Sequence, residues 1–325
     1  MSYSVGVDIG GTNTVVGILD PEHRVIGVER IPTLPDEGAE ALFDRIAAAI
    51  RSLLERAGVG HLDYTVGMGV PGFVDPDAGV ALNSTNLRWV DVPVVQRMRD
   101  RLGVPVAIDN DVRMYVYGES LRGAGQGFRH VLGVTVGTGL AAAFVADGQV
   151  FYGGGKMAGE LGHIPLESIP YACGCGLSGC LETVASATGI VRQARDAILK
   201  ERRPSVLSEW FPGPGLLALT AKDVSRAYDA GDGVAVDVLH RTGELLGRGL
   251  AYAVTLYSPD VVVIGGGAAA AGERLLAPVR RAMERLLVRD YWERITVAPA
   301  ALGDEAGIVG SALFGRARAE ANQRD

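Results

Sequence analysis

The chain has very little cysteine: three residues in 325, all between Cys173 and Cys180. An odd number in so short a segment does not fit the disulfide framework that staples small secreted domains. A long apolar run is also missing. The longest stretch without a charged residue, Val131 to Ala146, holds three glycines and two threonines and falls short of the ~20 apolar residues of a membrane-spanning helix. Lysine and arginine are scattered and the formal net charge is -7, so the basic face of a nucleic-acid binder is absent. The first residues run straight into a strand pattern, with no charged-then-apolar leader. Low-complexity tracts and short-period repeats are absent too. The expectation is a soluble, cytosolic protein.

Glycine, by contrast, is abundant: 45 of 325 residues, nearly double the usual share of roughly 7%. Glycine weakens helices and strands, so the excess implies tight turns and places where backbone approaches a ligand. The length suits two domains, and 48% hydrophobic with 21% charged residues is an ordinary globular balance.

Two strand patterns, residues 4–9 and 14–19, flank Gly10-Gly11 and predict a hairpin. Leu42, Ile46, Ile50, Leu53 and Leu54 share a helical face over 38–57. Strands are expected at 64–70 and 104–108, with a helix at 93–102 between them. A second hairpin is expected over 131–150, turning at Asp147-Gly148. Helices are expected at 181–199, 234–257, 273–287 and 305–320, and a buried strand at 261–264. Thr220 and Asp223 form a capping-box pattern. Residues 201–219, with Pro204, Pro212 and Pro214, suggest a surface excursion. The recurrence of a hairpin with a glycine turn implies two related halves with a nucleotide between them, and a boundary near Glu119.

Asp8-Ile-Gly-Gly-Thr-Asn13 offers backbone N–H groups to phosphate oxygens. Its glycines open a second strand rather than a helix, which excludes the Rossmann and P-loop readings. Asp8 suits Mg²⁺ held through water, and the plainer alternative is an ordinary hairpin turn. Gly10, Gly11, Thr12 and Asn13 are the candidate phosphate residues there. Gly137-Thr138-Gly139 repeats the device. Gly265-Gly266-Gly267 links a buried strand to a helix and suits the adenosine part of a nucleotide. His163 with Cys173, Cys175 and Cys180 is a common structural zinc set, all four positions filled. Asn110-Asp111 follows a strand; it reads either as a helix cap or as a base near a reacting hydroxyl. Glu160 and Glu182 frame the cysteine loop, where carboxylates suit several hydroxyls.

Together these segments resemble the ROK family (repressors, open reading frames, kinases), and within it the bacterial glucokinases, from Val5 to about residue 315. Asp8–Asn13 and Gly137-Thr138-Gly139 look like the two phosphate motifs. Gly67–Gly72 and Asn110-Asp111 look like the sugar-side loops, and Ala158–His163 with Cys173–Glu182 like the signature and zinc motif. The resemblance implies an α/β, actin-like ATPase (hexokinase-type) fold of two domains. Residues 1–118 with a returning helix at 304–325 would form the small one, and residues 119–303, with the zinc loop, the large one. It implies ATP-dependent phosphorylation of a hexose primary hydroxyl, glucose first, in carbohydrate metabolism. N-acetylmannosamine, N-acetylglucosamine, fructose or a cyclitol are alternative acceptors, and a sugar-sensing regulator is a further class. Asp111 would be the base. Asn110, Glu160, His163 and Glu182 would hold ring hydroxyls, with backbone help near Gly72 and Asn86 at the far side of the sugar. Thr12, Gly137, Thr138 and Gly266 would contact ATP, with Mg²⁺, and a homodimer or homotetramer is implied. Asn13, Ala141–Ala143, Val112–Tyr115 and Asn83–Asn86 depart from the family pattern.

Overall fold

The computed structural model describes residues 3–60, 63–167 and 169–322. Three strands open the chain, β1 (Tyr3–Ile9), β2 (Asn13–Leu19) and β3 (Val25–Pro32), before helix α1 (Gly38–Arg56). Strands β4 (Tyr64–Val70), β5 (Phe73–Asp75), β6 (Val80–Ser84) and β7 (Trp89–Val92) precede α2 (Val94–Leu102). Strand β8 (Val106–Asn110) then runs into α3 (Asp111–Arg122). After β9 (His130–Val136), β10 (Leu140–Ala146) and β11 (Gln149–Val150), an irregular segment reaches α4 (Ala187–Leu199). The short helices α5 (Val206–Trp210) and α6 (Ala221–Asp229) lead to the long α7 (Gly233–Tyr257) and strand β12 (Val261–Gly265). The last elements are α8 (Glu273–Leu286), α9 (Arg289–Trp292), β13 (Thr296–Pro299) and α10 (Ala306–Ala321). Among the described residues no helix is long and apolar enough to cross a membrane.

The chain divides into two compact units: Met1–Arg129 with Ala143–Ala158 and Ala301–Asp325, and His130–Ala142 with Gly159–Ala300. The division therefore passes through β10. Glu119, near which a boundary was expected, lies inside α3 instead. It is fully buried, and its carboxylate accepts N–H groups from Ala124 (2.8 Å), Ala301 (3.0 Å) and Leu302 (2.7 Å). Those bonds tie the end of α3 to the approach to α10, so the first unit extends beyond Glu119. Residues 1–2 and 323–325, within the expected domain bounds, lie outside the described residues.

In the first unit the sheet order is β3-β2-β1-β4-β8. The hairpin β1/β2 is antiparallel, and β4 and β8 join in parallel. Helix α1 buries Leu42, Phe43, Ile46, Ile50, Leu53 and Leu54. Phe43 meets Trp89 edge-on at 5.2 Å. Each such side chain contributes about 1.5–3 kcal/mol on leaving water. Helix α10 packs on β1, β4 and α3, and there the contact is backbone on backbone. A Cβ at Gly6 would lie 1.8 Å from the Ile308 carbonyl oxygen, one at Gly67 1.7 Å from that of Ser311, and one at Gly310 1.7 Å from that of Met114. Part of the glycine excess is spent here, in addition to the sixteen glycines at positive φ among the described residues.

In the second unit β12 is buried along its whole length and pairs in parallel with β9 and β13, as a strand covered on both faces must be apolar throughout. Helices α7 and α8 pack closely, because Gly243 and Gly247 face Leu275, Pro278 and Val279. The expected capping box is present: Thr220 and Asp223 bond reciprocally at the start of α6. The helix expected from Leu181 begins only at Ala187, where the Ser186 hydroxyl accepts the Gly189 N–H at 3.0 Å. Leu181–Thr183 form a separate 3-10 turn. Strand β3 and the small sheet β5-β6-β7 were not expected. Charged Glu29 and Arg30 in an alternating edge strand, and very short strands in the other case, leave little periodic signal.

Helical glycines usually gain stability on substitution by alanine, but Gly310 should do the opposite. Gly310→Ala is expected to destabilise by about 3 kcal/mol through overpacking, lowering the melting temperature measured by calorimetry. Gly233→Ala, at a helical glycine with open space around it, should be neutral or stabilising.

Candidate active site

In the first unit, the turn between β1 and β2 is closed by the Gly10 N–H donating to the Asn13 carbonyl at 3.0 Å. Thr33, at the end of β3, pins it: its N–H donates to the Thr12 carbonyl (2.9 Å), and its hydroxyl to that of Gly10 (2.7 Å). Nothing in the sequence pattern marked Thr33 as a site residue. Gly11, Thr12 and Asn13 are exposed, and the Asn86 Cβ lies 3.7 Å from the position of a Cβ on Gly11. The unit thus brings Asn86 beside the glycine turn.

Asp8, half-buried on β1, lies against the first turn of α10; a Cβ on Gly307 would be 2.6 Å from its carboxylate. Burial, and secondarily the charge of Asp111, push the Asp8 carboxyl up to about 7. Asp111 is pushed up to about 6, chiefly by burial. Two neighbouring carboxyls that resist ionisation together mark a place where a cation or a proton acceptor is wanted.

The helix-cap reading of Asn110 holds. The Asn110 side chain caps α3 by accepting the Arg113 N–H at 3.1 Å. Its amide donates to the Gly72 carbonyl and to Asp111 Oδ1, each at 3.0 Å. Gly72 sits at φ 94°, and a Cβ there would lie 2.2 Å from the Asn83 carbonyl oxygen, so the residue must be glycine. Asp111 Oδ1 also receives the Val112 N–H at 2.9 Å. Gly72, Asn110 and Asp111 are therefore one hydrogen-bonded group.

In the second unit, Gly137-Thr138-Gly139 turns β9 into β10, closed by the Gly137 N–H to the Gly139 carbonyl at 3.0 Å. Helix α4 holds the turn through Ala187 N–H to the Gly137 carbonyl (2.8 Å) and Thr188 hydroxyl to the Thr138 carbonyl (2.8 Å). Gly265 ends β12 opposite Thr135. Gly266, at φ 84°, lies against the Val136 backbone, where a Cβ would come within 2.7 Å. The glycine run Gly265–Gly267 and the Gly137 turn are thus neighbours. Open space lies around Gly137 and Gly267.

His163, Cys173, Cys175 and Cys180 come together, with their ligand atoms all within 4.8 Å of one another. His163 Nδ1 faces the Cys173 sulfur at 3.7 Å, and Cys175 and Cys180 sulfurs are 3.6 Å apart. No disulfide joins the three thiols. Burial pushes the Cys173 thiol up to about 12 and the Cys180 thiol also upward, so a cation is what would let thiolates persist there. The loop is held by backbone: Cys173 N–H to Leu177 (2.8 Å), Leu166 N–H to Gly179 (2.8 Å) and Leu181 N–H to Ile164 (3.0 Å). Tyr171 moors it to α4, donating to Asp196 at 2.9 Å. Glu160 lies 3.7 Å from His163 Nε2, and Glu182 lies 3.8 Å from Nδ1. The Glu182 carboxylate also approaches Gly139, within 3.0 Å of a Cβ placed there. A donor set of one imidazole and three thiols in this proximity fits a tetrahedral metal ion.

Residues 4–318 match the ROK family. The glucokinase of Halalkalibacterium halodurans is 36% identical over 312 residues, covering 95% of this chain and 93% of that one. Among solved structures, a ROK family glucokinase from Streptomyces griseus, in complex with glucose and AMPPNP, superposes with a TM-score of 0.81 at 34% identity, covering 97% of this chain and 99% of that one. The ROK hexokinase from Thermus thermophilus gives 0.78 at 32% identity, covering 98% and 99% respectively. The fold is the two-domain, actin-like α/β fold of these neighbours. The family match over residues 4–318 and the relatives at 32–36% identity show that the chain belongs to the ROK family.

Proposed function

We propose that the protein transfers the terminal phosphoryl group of ATP to the primary hydroxyl of a hexose, glucose being the leading acceptor. The observation that carries the reading is Asp111. Its Oδ1 is fixed by two hydrogen bonds, and its carboxyl is pushed up to about 6 by burial. A carboxylate held in one orientation with a raised pKa is a better proton acceptor than a free aspartate and is still ionised at neutral pH.

Asp111 takes the proton of the attacking hydroxyl as the phosphoryl group moves. Phosphoryl transfer asks little covalent chemistry of the protein, so positioning supplies most of the rate. Gly72, Asn86, Asn110, Glu160, His163 and Glu182 are the residues assigned to the sugar hydroxyls. Asp8, Gly10, Gly11, Thr12, Asn13, Gly137, Thr138, Gly139, Gly265, Gly266 and Gly267 receive ATP, their backbone N–H groups serving the phosphates. Mg²⁺ arrives with the nucleotide, and a nearby divalent cation favours ionised Asp8.

Zinc is the ion that the donor set His163, Cys173, Cys175 and Cys180 best suits. Those four residues would hold it as a structural ion that would brace the loop and fix the tautomer of His163, whose other ring nitrogen would be left for the sugar. The family resemblance adds a cytoplasmic setting and a homodimer or homotetramer, which light scattering would measure.

Three outcomes follow from this reading. Asp111→Asn should lower kcat by at least about a thousandfold while the hexose Kd, by calorimetry, stays near its original value. Wild-type turnover in that variant sinks the base assignment. In the wild type, kcat/KM should fall as pH drops through about 6, because the protonated carboxyl cannot accept a proton. The same raised pKa means that the folded state prefers protonated Asp111. Its ionisation therefore destabilises increasingly as pH rises from 3.8 through about 6. Asp111→Asn should accordingly raise stability at pH 8, by on the order of 2 kcal/mol, with the gain fading towards pH 4. A coupled ADP-release assay over hexoses, amino sugars and cyclitols identifies the acceptor.

Metal analysis should find one zinc per chain. Stripping it with a chelator should lower the melting temperature and weaken hexose binding. Metal-free protein with full stability and activity would remove the zinc site.

A further inference from the structure

The residues that fix the Asn110–Asp111 group include three that neither the sequence pattern nor the reading above uses. Asp109 is fully buried. Its Oδ1 receives the Asn110 N–H at 2.7 Å and Arg113 Nη1 at 3.1 Å, and its Oδ2 receives the Tyr152 hydroxyl at 2.6 Å. Arg113 is itself buried, 6% exposed. Its other nitrogen donates to the Lys156 carbonyl, and its guanidinium lies over the Tyr152 ring, 5.2 Å from the centroid. Burial and the Asp109 carboxylate push the Tyr152 phenol well above its ordinary range, so it keeps its proton and donates.

Stability is a poor explanation for such a group. A buried ion pair roughly breaks even against apolar side chains of the same volume. What the cluster fixes is orientation. With Asp109 held at both oxygens and Asn110 held at its N–H, its side-chain oxygen and its amide nitrogen, the 109–111 backbone has no room to rotate. Asp111 Oδ1 is committed to the Val112 N–H and the Asn110 amide, and Oδ2 is left to take a proton.

Resting on the reading of Asp111 as the base, we propose that Tyr152, acting through Asp109 and with Arg113, is a positioning residue for the Asn110–Asp111 pair. Tyr152 reaches Asp109 from the segment after β11. The same segment is moored independently by Lys156, whose Nζ lies 2.5 Å from Asp75 and 2.9 Å from Asp77. That second mooring does not touch Asp109, which allows the two roles to be separated.

The test compares Tyr152→Phe, Lys156→Ala and Asp111→Asn in the full chain. Tyr152→Phe is expected to lower kcat at least about tenfold, since small misplacements of a reacting group are costly. KM for hexose and for ATP should stay within about threefold, and the melting temperature should be nearly unchanged. Lys156→Ala should keep near wild-type kcat, because its ion pairs are partly exposed and weak. A smaller kcat effect in Tyr152→Phe, a loss matched by KM or by stability, or an equal kcat loss in Lys156→Ala overturns the positioning role. If Asp111→Asn is inactive in any of those cases, the kinase reading stands without it. If Asp111→Asn keeps turnover, both fail.

Discussion

The first unit depends on one contact: the backbone of α10 lying directly on the backbones of β1, β4 and α3. Glycines at Gly6, Gly67, Gly118 and Gly310 remove the side chains that would hold these elements apart. Bringing helix and sheet this close has a chemical consequence. Asp8 on β1 and Asp111 at the start of α3 both flank the N-terminal part of α10, and Gly307 leaves the space that the Asp8 carboxylate fills. Larger residues in α10 would move β1 and α3 apart, and the two carboxyls would lose the burial that raises both, and Asp8 the added repulsion from Asp111. Packing and acid–base behaviour are therefore the same fact seen at two scales.

The second unit solves a different problem with different means. Residues 159–183 have almost no regular structure, only 3-10 turns and isolated bridges at Pro165↔Cys180 and Ala172↔Ser178. A loop of that length has few ways to stay ordered. Here it has cross-chain backbone bonds, the Tyr171–Asp196 mooring and a converging set of one imidazole and three sulfurs. A tetrahedral ion would tie the loop at four points within eighteen residues, closing short loops whose ends are already near one another. The carboxylates Glu160 and Glu182 lie next to the imidazole, so whatever stiffens the histidine also stiffens them.

Much of this was legible in the sequence, and the exceptions have identifiable causes. Long amphipathic helices such as α1 and α7 announce themselves through period, and the hairpin β1/β2 through its glycine turn. The Cys–His spacing marked the cluster because those residue types are rare and chemically specific. Helix α4 was read six residues too early, because Leu181 and Val184 are buried from a separate 3-10 turn ahead of it, Leu181 against Gly249 of α7. Burial alone does not say which element does the burying. Thr33, Tyr152 and Asp109 escaped notice for another reason: their roles come from hydrogen bonds between segments far apart in the chain. Arg113 stood out only as part of a stretch, Val112–Tyr115, that departs from the family pattern. The structure accounts for its size, since a shorter side chain could not reach both Asp109 and the Lys156 carbonyl.

The Asn110-Asp111 pair shows how a helix cap and burial act together on one carboxyl. A helix N-terminus presents free N–H groups and a positive dipole end, which favour an ionised carboxylate, whereas burial disfavours it. At Asp111 the two oppose each other: burial raises the carboxyl, and the Val112 N–H and the Asn110 amide lower it. The balance comes out near 6, between an ordinary aspartate and a neutral acid. A cap without the burial would leave an ordinary aspartate, charged but a weak base. Burial without the cap would leave a neutral acid. Placing the carboxyl on the first residue of a capped helix, where it is also buried, is how this fold reaches the intermediate value.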